Sequence, residues 1–586
     1  MKTMLHLLTQ EVKTAFENAG YPSDNVEVSM SRRPELCDFQ CNSAMRLAKQ
    51  AGVKPLDIAT QVADLLQDSD MIGTVEAQAP GFINLKISQA CFVERLGTMT
   101  NTDKLGFEQT DKPKNIILDF GGANVAKSLH VGHLRSAVIG ESLIRLLRFK
   151  GHQVTGDMHL GDWGLQMGLV IEKLRLEQPD LPYYENVVHG AYPKEAPFSI
   201  QGLTSLYTGA NILSKEDPDF RKKAAQSTAE LQQGRAGYRA LWKHILETSK
   251  EDLRKNYASL QVHFDLWLGE SDADPAVPRV LAELDDQGLL KESKGAKVVF
   301  VDHESDKKPM PPCILQKENG AVLYATTDLA TIYQRMQDKP DQIIYVVDKR
   351  QGLHFDQVFR VARMAGITPE TTDLKHIGFG TMNGKDGKPF KTRDGGVMAL
   401  EDLICILIDG VRDRLKDQNR LGDQEAIDQT ALQVGVGALK YGDLCNLPER
   451  DYVFDLDKFG SFEGKTGPYI QYAVVRITSI LEKLSAKGLK AASIKSLVTD
   501  AERDLALQLA TFNDWADLAV ENYQPSRICD YAFDLAQKFN RFYHDVHIVS
   551  EDNMDRQQEL MALLVLTKEV LKTSLDLLGI RSLDKM

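Results

Sequence analysis

A chain of 586 residues, 43% hydrophobic and 26% charged, has the composition of an ordinary soluble protein and is too long for one core, so three or more domains are expected. No apolar run approaches the length of a membrane span, and residues 1–20 are amphipathic without a signal-peptide core, which points to the cytoplasm and away from the membrane. Seven scattered cysteines give no disulfide framework, and a net charge of −13 argues against a generally sticky nucleic-acid binder while leaving room for local basic patches.

Residues 1 to about 110 read as a separate α+β unit. Residues 38–45 lead into a helix that ends near Gly52, and Pro80-Gly81 turns into a strand carrying Phe82, Asn84 and Leu85. Cys37 and Cys41 sit four apart with no second pair, and they are read as helix residues.

The most informative stretch is 115–168. An apolar run over 116–120 predicts a buried strand, Gly121 and Gly122 open a loop holding Asn124 and Lys127, and His130-Val131-Gly132-His133 follows. Leu134, Val138, Ile139, Ile144 and Leu147 then recur at helical spacing. Strand, glycine-rich loop and helix form a phosphate-binding layout. Glycines let the backbone approach an anion, helix-start N–H groups carry partial positive charge, and two imidazoles three residues apart can donate to phosphate oxygens. Gly132 between them leaves room for a flat ligand. Three other readings compete. The histidines could hold a metal, but no third and fourth ligand follows at the right spacing. Residues 121–128 (GGANVAKS) are one residue from a P-loop, with Ala126 for the second glycine, although a P-loop helix would begin near Lys127. The third reading packs both histidines in a core.

Residues 177–257 are polar and helical with no catalytic grouping, and they read as an insertion that packs on the sheet or contacts RNA. Beyond it a strand ends at Glu270, and α/β sheets gather ligands at the carboxyl ends of their strands. Residues 321–328 lead into a helix, followed by a strand over 342–347 and then Asp348-Lys349-Arg350-Gln351. A guanidinium needs planar, paired acceptors. Asp328 and Gln351 can supply them while Tyr324 covers one face, although Asp328 also reads as a helix N-cap. The loop 381–396 holds four glycines and the cations Lys385, Lys388, Lys391 and Arg393, which suits either a lid over a leaving pyrophosphate or a solvated turn. Past about 465 the pattern is fully helical, and Pro525-Ser526 starts a helix whose apolar stripe runs from Ile528 to Tyr543 in a helical bundle.

Residues 123–133 (ANVAKSLHVGH), followed by Leu134-Arg135-Ser136 and Gly161-Asp162-Trp163-Gly164, resemble the HIGH signature of class I aminoacyl-tRNA synthetases in its arginyl form. Residues 388–393 (KPFKTR) resemble a degenerate version of the second signature, KMSKS. The resemblance implies three domains: an N-terminal α+β tRNA-contacting domain over 1–110, an α/β Rossmann-like catalytic domain over 111–465 with an insertion at about 177–257, and a C-terminal all-α anticodon-binding bundle over 466–586. It also implies ligation of L-arginine to tRNA(Arg) through an arginyl-adenylate, with ATP and Mg2+ as substrate complex, no tightly bound cofactor, no protein-held metal, and a cytoplasmic monomer.

On this resemblance His130, His133, Lys388 and Lys391 are catalytic. ATP falls to Ala123, Asn124, Val125, Ala126, Lys127, Ser128, Leu129, His130, Val131, Gly132 and His133. Arginine falls to Asp119, Asn124, Glu270, Tyr324, Asp328 and Gln351, and the tRNA elbow to Phe82 and Asn84, which otherwise read as a core and a turn residue. Where the family often has Ser-x-Pro-Asn, this chain has Gly121-Gly122-Ala123-Asn124, so a side-chain contact from position 121 is missing. Two other classes stay open: a P-loop-type ATPase working without arginine or tRNA, and a non-catalytic RNA-binding relative.

Overall fold

The structure is a computed structural model that describes residues 1–185, 192–318, 320–388, 398–418 and 423–586. Its N-terminal part is a four-stranded antiparallel sheet, in spatial order Val28–Met30, Phe39–Cys41, Phe82–Ile87 and Ile72–Gln78. Helices Met4–Asn18, Ser43–Ala51 and Pro55–Leu65 accompany it, and Ser43–Ala51 ends at Gly52 in the left-handed conformation that favours glycine. Ile83, Leu85 and Ile87 point into the core, so the period-two rule puts Phe82, Asn84 and Lys86 on the opposite face. Neither cysteine is helical, which corrects the expectation. Cys37 lies in the turn before the strand Phe39–Cys41, where Phe39 and Cys41 alternate inward.

The catalytic core is a five-stranded parallel sheet of β1 (Asn115–Asp119), β2 (Gln153–Leu160), β3 (Leu266–Gly269), β4 (Gln342–Asp348) and β5 (Asp373–Phe379). Their order is β5-β4-β1-β2-β3, so the winding reverses between β1 and β4. A crevice opens outside the carboxyl ends of strands at such a reversal. Ile116, Ile117 and Leu118 are consecutive and all buried because helices cover both faces of the sheet. The helix α1 (Leu134–Lys150) lies on one face, and α2 (Tyr324–Arg335) precedes β4.

The insertion forms helices Ile200–Glu216, Pro218–Gln232 and Ala236–Ser259. The third packs on the core: Ser249 Oγ accepts the Ala126 N–H at 2.9 Å, and Trp242 Nε1 donates to the Asp162 carbonyl at 2.9 Å. Beyond the sheet come helices Gly467–Ala486, Asp500–Ala510, Phe512–Glu521, Ser526–Asp545 and Met554–Leu577. They are tied to the N-terminal sheet by Arg503, which grips Asp38 at 3.0 and 2.6 Å, and by Asp514, which accepts the N–H groups of Met4 and Leu5 at 3.1 and 2.7 Å.

Gly140 brings α1 against Phe120, and a Cβ there would sit 2.2 Å from that ring. Gly140→Val should therefore destabilise the fold by about 1–3 kcal/mol through overpacking. The measurement is the denaturant midpoint. Gly97→Ala, whose Cβ meets nothing within 4 Å, should leave the midpoint unchanged or raised.

Candidate active site

The loop after β1 is fixed at both ends. Gly121 has φ +85°, and a Cβ there would meet Phe264 at 2.8 Å and Met158 at 2.9 Å. Its N–H donates to Ser136 Oγ at 2.8 Å, and that hydroxyl donates to the Val346 carbonyl of β4 at 2.7 Å. Farther on, Gly161 donates to Ala123 at 3.0 Å and accepts from Val125 at 3.2 Å, which leaves Asn124 exposed beside the crevice. Residues 129–131 then pair with residues 398–400: Leu400 N–H donates to Leu129 at 3.0 Å and Val131 N–H to Met398 at 3.2 Å.

The chain that leaves the lysine loop thus re-enters beside His130. Lys388 is exposed on the loop's first limb, its N–H bonded to Asp386 at 3.1 Å, while Lys391 lies outside the described residues together with Phe390, Thr392 and Arg393. Met382–Asn383, expected to be loop, is a short strand paired with Tyr452–Val453, because Met382 has a core to enter.

The two histidines form a reciprocal cap ahead of α1. His130 Nδ1 accepts the Gly132 N–H at 3.0 Å, His133 Nδ1 accepts the His130 N–H at 3.1 Å, and the rings lie 4.0 Å apart. With each Nδ1 an acceptor, the neutral ring carries its proton on Nε2, the nitrogen left free to donate. Burial lowers both pKa values, assisted by Lys127, and His133, which also faces His130, falls to about 3. Both rings are therefore neutral donors at pH 7. A Cβ on Gly132 would meet the His130 ring at 2.8 Å, so the space expected for a flat ligand is first of all space for that ring.

The helix begins at Leu134 after the turn Val131–His133 rather than near Lys127, which rules out the P-loop layout. Among the described residues, the one group of three ligating side chains close enough to share a metal ion is Asp119, Asp157 and His159, not the histidine pair.

Across the crevice, Asp328 is no N-cap: Leu323 holds that position, and Asp328 lies one turn inside α2. Its carboxylate meets His354 Nε2 at 2.5 Å, and His354 stands three residues after Gln351, the N-cap of helix Gly352–Met364. Tyr324 opens α2 and is 67% exposed. Glu270, just past β3, has its pKa raised to about 7 by burial and by the neighbouring carboxylates of Asp162 and Asp328. Asp162 is itself anchored by Ser271, whose N–H and hydroxyl donate to it at 3.0 and 2.6 Å.

Glu270 thus feels the charge of two neighbouring carboxylates, an electrostatic setting that favours a cation. Asp162 and His354 were not singled out as site residues, although the spacing from Gln351 could have marked His354. Asp119 is buried at the end of β1, and its Oδ2 already accepts from Arg335 Nη2 at 2.6 Å. Phe82 and Asn84 are far from this crevice in the chain's architecture, on the outer face of the N-terminal sheet. Asn84 there accepts from Gln40 at 2.7 Å and donates to Gln78 at 2.9 Å, so it is a mid-strand residue, not a turn residue.

This core falls in class I of the aminoacyl-tRNA synthetases: the family described as "tRNA synthetases class I (R), catalytic domain" matches residues 96–456. The DALR anticodon binding domain matches 470–586, and the arginyl tRNA synthetase N terminal domain matches 3–87. The chain is 49% identical to the arginine–tRNA ligase of Agathobacter rectalis and 48% identical to that of Alkaliphilus oremlandii, covering 100% of both chains in each case. An arginyl-tRNA synthetase structure from Plasmodium falciparum superposes with a TM-score of 0.81 at 26% identity, covering 100% of each chain. The Thermus thermophilus arginyl-tRNA synthetase shares the fold with a TM-score of 0.79 at 22% identity and the same full coverage. The chain belongs to the arginyl-tRNA synthetase family.

The raised Glu270 pKa gives the carboxylate pocket a signature. Below about pH 7 the free pocket holds a proton on Glu270 that a bound guanidinium must displace, so arginine affinity should fall by about tenfold per pH unit on the acid side and level off above. Calorimetric titration of arginine from about pH 5.5 to about 8.5 checks this. Glu270→Gln should flatten the profile, and a flat profile in the unaltered protein would remove Glu270 from the pocket.

Proposed function

We propose that this protein is an arginine–tRNA ligase that couples L-arginine to tRNA(Arg) at the expense of ATP supplied with Mg2+. The observation that carries the reading is the placement of two neutral Nε2–H donors at the head of α1, on the crevice whose other wall is the cation pocket of Asp328 and Glu270. A carboxylate oxygen of arginine attacks the α-phosphorus of ATP, the bond to pyrophosphate breaks, and arginyl-adenylate forms. A hydroxyl of the tRNA 3′-terminal ribose then attacks the arginyl carbonyl and AMP leaves. No side chain becomes a covalent nucleophile. The enzyme positions the reactants and stabilises developing charge.

His130 and His133 donate to phosphate oxygens without first having to gain a proton, and residues 123–129 line the nucleotide. Lys388 and Lys391 bring positive charge to the departing pyrophosphate. Asp328, Glu270 and Gln351 accept from the guanidinium under Tyr324, while Asp119 and Asn124 serve the substrate's amino-acid end. In the N-terminal domain Phe82 and Asn84, in a row with Gln40 and Gln78, meet the tRNA elbow.

In the helical domain a cavity of about 520 Å3 is lined by Tyr469, Tyr472, Arg476, Asn540 and Met586. Tyr472 is 37% exposed there, and Arg476 stacks on Tyr543 at 4.5 Å, surfaces suited to an unstacked anticodon base. The enzyme works as a cytoplasmic monomer. No helix among the described residues is long and apolar enough to cross a membrane.

Two measurements test this reading. His133→Ala should slow adenylate formation by about a hundredfold or more while arginine affinity stays near its original value, because the lost donor acts on phosphates as charge develops. Single-turnover kinetics against equilibrium binding separate the two. Arginine-dependent exchange of pyrophosphate into ATP should be negligible without tRNA and should appear on adding cognate tRNA, including tRNA whose 3′ end has been oxidised to block transfer. Vigorous exchange without RNA would show that arginine activation does not depend on tRNA and would leave the ligase assignment standing.

A further inference from the structure

Arg335, the last residue of α2, is an arginine buried beside a site that recognises arginine. It is 4% exposed, and one nitrogen, Nη2, donates at 2.6 Å both to Asp119 Oδ2 on β1 and to Asp157 Oδ2 on β2. Its Nε and Nη1 have no partner among the described residues, so its hydrogen bonds all go to these two carboxylates. Its guanidinium carbon lies 5.3 Å from the centre of the Tyr345 ring of β4, so three adjacent strands converge on one side chain. The ligating atoms of Asp119, Asp157 and His159 lie within 4.8 Å of one another, and the guanidinium takes the place that a divalent cation would need among them.

Residues 328, 331 and 335 follow i, i+3, i+7 spacing and share one face of α2. That face carries three linked contacts: Asp328 on His354, Thr331 Oγ1 facing His159 Nε2 at 3.4 Å, and Arg335 on Asp119 and Asp157.

We infer that Arg335 is a positioning residue for arginine recognition, which fixes the acceptors for both ends of the substrate with one guanidinium. This rests on the ligase reading and on Asp119 as a substrate contact. Arg335 orients Asp119 on β1 and opposes the burial that raises the pKa of that carboxyl. By the same bonds it sets the rotation and height of α2, which presents Asp328 and Tyr324. Without it, two carboxylates crowd a buried space with no counter-charge, and both Asp119 and α2 must shift. The ATP side is rooted elsewhere. His130 and His133 are held by their own cap, by residues 398–400 and by Ser136, none of which Arg335 touches. Loss of Arg335 therefore separates the two substrates kinetically, which a general loss of fold would not do.

The test measures arginine-dependent pyrophosphate exchange in the full chain with cognate tRNA present, varying arginine and ATP separately. Arg335→Met should raise KM for arginine by about tenfold or more with KM for ATP changed less than about twofold, since small misplacements of positioning groups have effects of that order. Arg335→Lys, which keeps a cation on a shorter side chain, should fall between Met and the unaltered protein. If Arg335→Met fails to fold, Arg335→Met with Asp157→Asn removes one of the two unpaired carboxylates and their mutual repulsion, and should restore the fold without restoring the arginine KM. An unchanged arginine KM in any folded variant lacking the guanidinium, or a parallel rise of both KM values, overturns the inference. Failure of the unaltered protein to support arginine-dependent exchange would instead refute the ligase reading on which it rests.

Discussion

One buried hydroxyl holds the crevice in register. Ser136, in the first turn of α1, accepts from Gly121 at the end of β1 and donates to Val346 in β4, so a single Oγ joins the two strands between which the winding reverses to the helix that carries the histidines. Much of the crevice hangs from these three elements, while Tyr324 and Asp328 come from α2 and Glu270 follows β3. Residues 121–133 continue β1 into α1, and Gln351 and His354 follow β4. The glycine at 121 is a geometric necessity, since only a residue without Cβ can take φ +85° with Phe264 and Met158 at its back. In place of a side chain at position 121, Phe264 and Met158 pack directly against the backbone at the sheet's end.

The two halves of the crevice solve opposite electrostatic problems. The proposed phosphate side gains from donors that are neutral and preorganised, which burial of His130 and His133 supplies, while Lys385 and Lys388 stay exposed on the neighbouring loop. The other side gathers Glu270, Asp162 and Asp328; burial, and then the charges of Asp162 and Asp328, raise the pKa of Glu270, and a cation is favoured beside it. An overall charge of −13 is compatible with both, because each acts within a few ångströms. The buried Arg335 shows the same chemistry turned inward: the protein pairs its own guanidinium with Asp119 and Asp157, and Asp119 is shared between that pair and the proposed substrate site.

Legibility in the sequence followed sequence distance. The strand, loop and helix of 115–150 could be read because apolar run, glycines and helical period are adjacent in the chain. Cys37 and Cys41 were misplaced because their spacing of four fits a helix, and the three-residue strand Phe39–Cys41 is too short to display its alternation. Asp328 looked like an N-cap because the true cap, Leu323, has no capping side chain to announce the helix start. The bonds from Arg335 to Asp119 and from His354 to Asp328 span 216 and 26 residues, and nothing local marks either pair. Asn84 was legible as a residue of interest, but its row with Gln40 and Gln78 exists only once three strands are paired.

The lysine loop is tied to both the histidines and the helical domain, and the tie runs through Arg135, two residues past His133. Its side chain is almost wholly buried and donates to Asp443 at 3.1 Å, to the Gly380 carbonyl at 2.8 Å and to the Arg450 carbonyl at 2.9 Å. Asp443 belongs to helix Gln424–Leu444, whose Gln433 carbonyl accepts from Gln471 in the first helix of the bundle at 3.3 Å. Asp443 also accepts from the Tyr452 hydroxyl at 2.8 Å, and the strand Tyr452–Val453 pairs with Met382–Asn383, the root of the loop's first limb. The second limb returns to residues 129–131. A buried pair such as Arg135–Asp443 adds little net stability, but removing one partner leaves an uncompensated charge, so the pair enforces one arrangement of its neighbours. Helical domain, loop roots and histidine cap thus share one set of buried bonds. A ligand that binds the helical domain better in one arrangement of this set must favour that arrangement at the loop roots and the histidine cap as well, and whatever favours it there must in turn favour the ligand by the same factor.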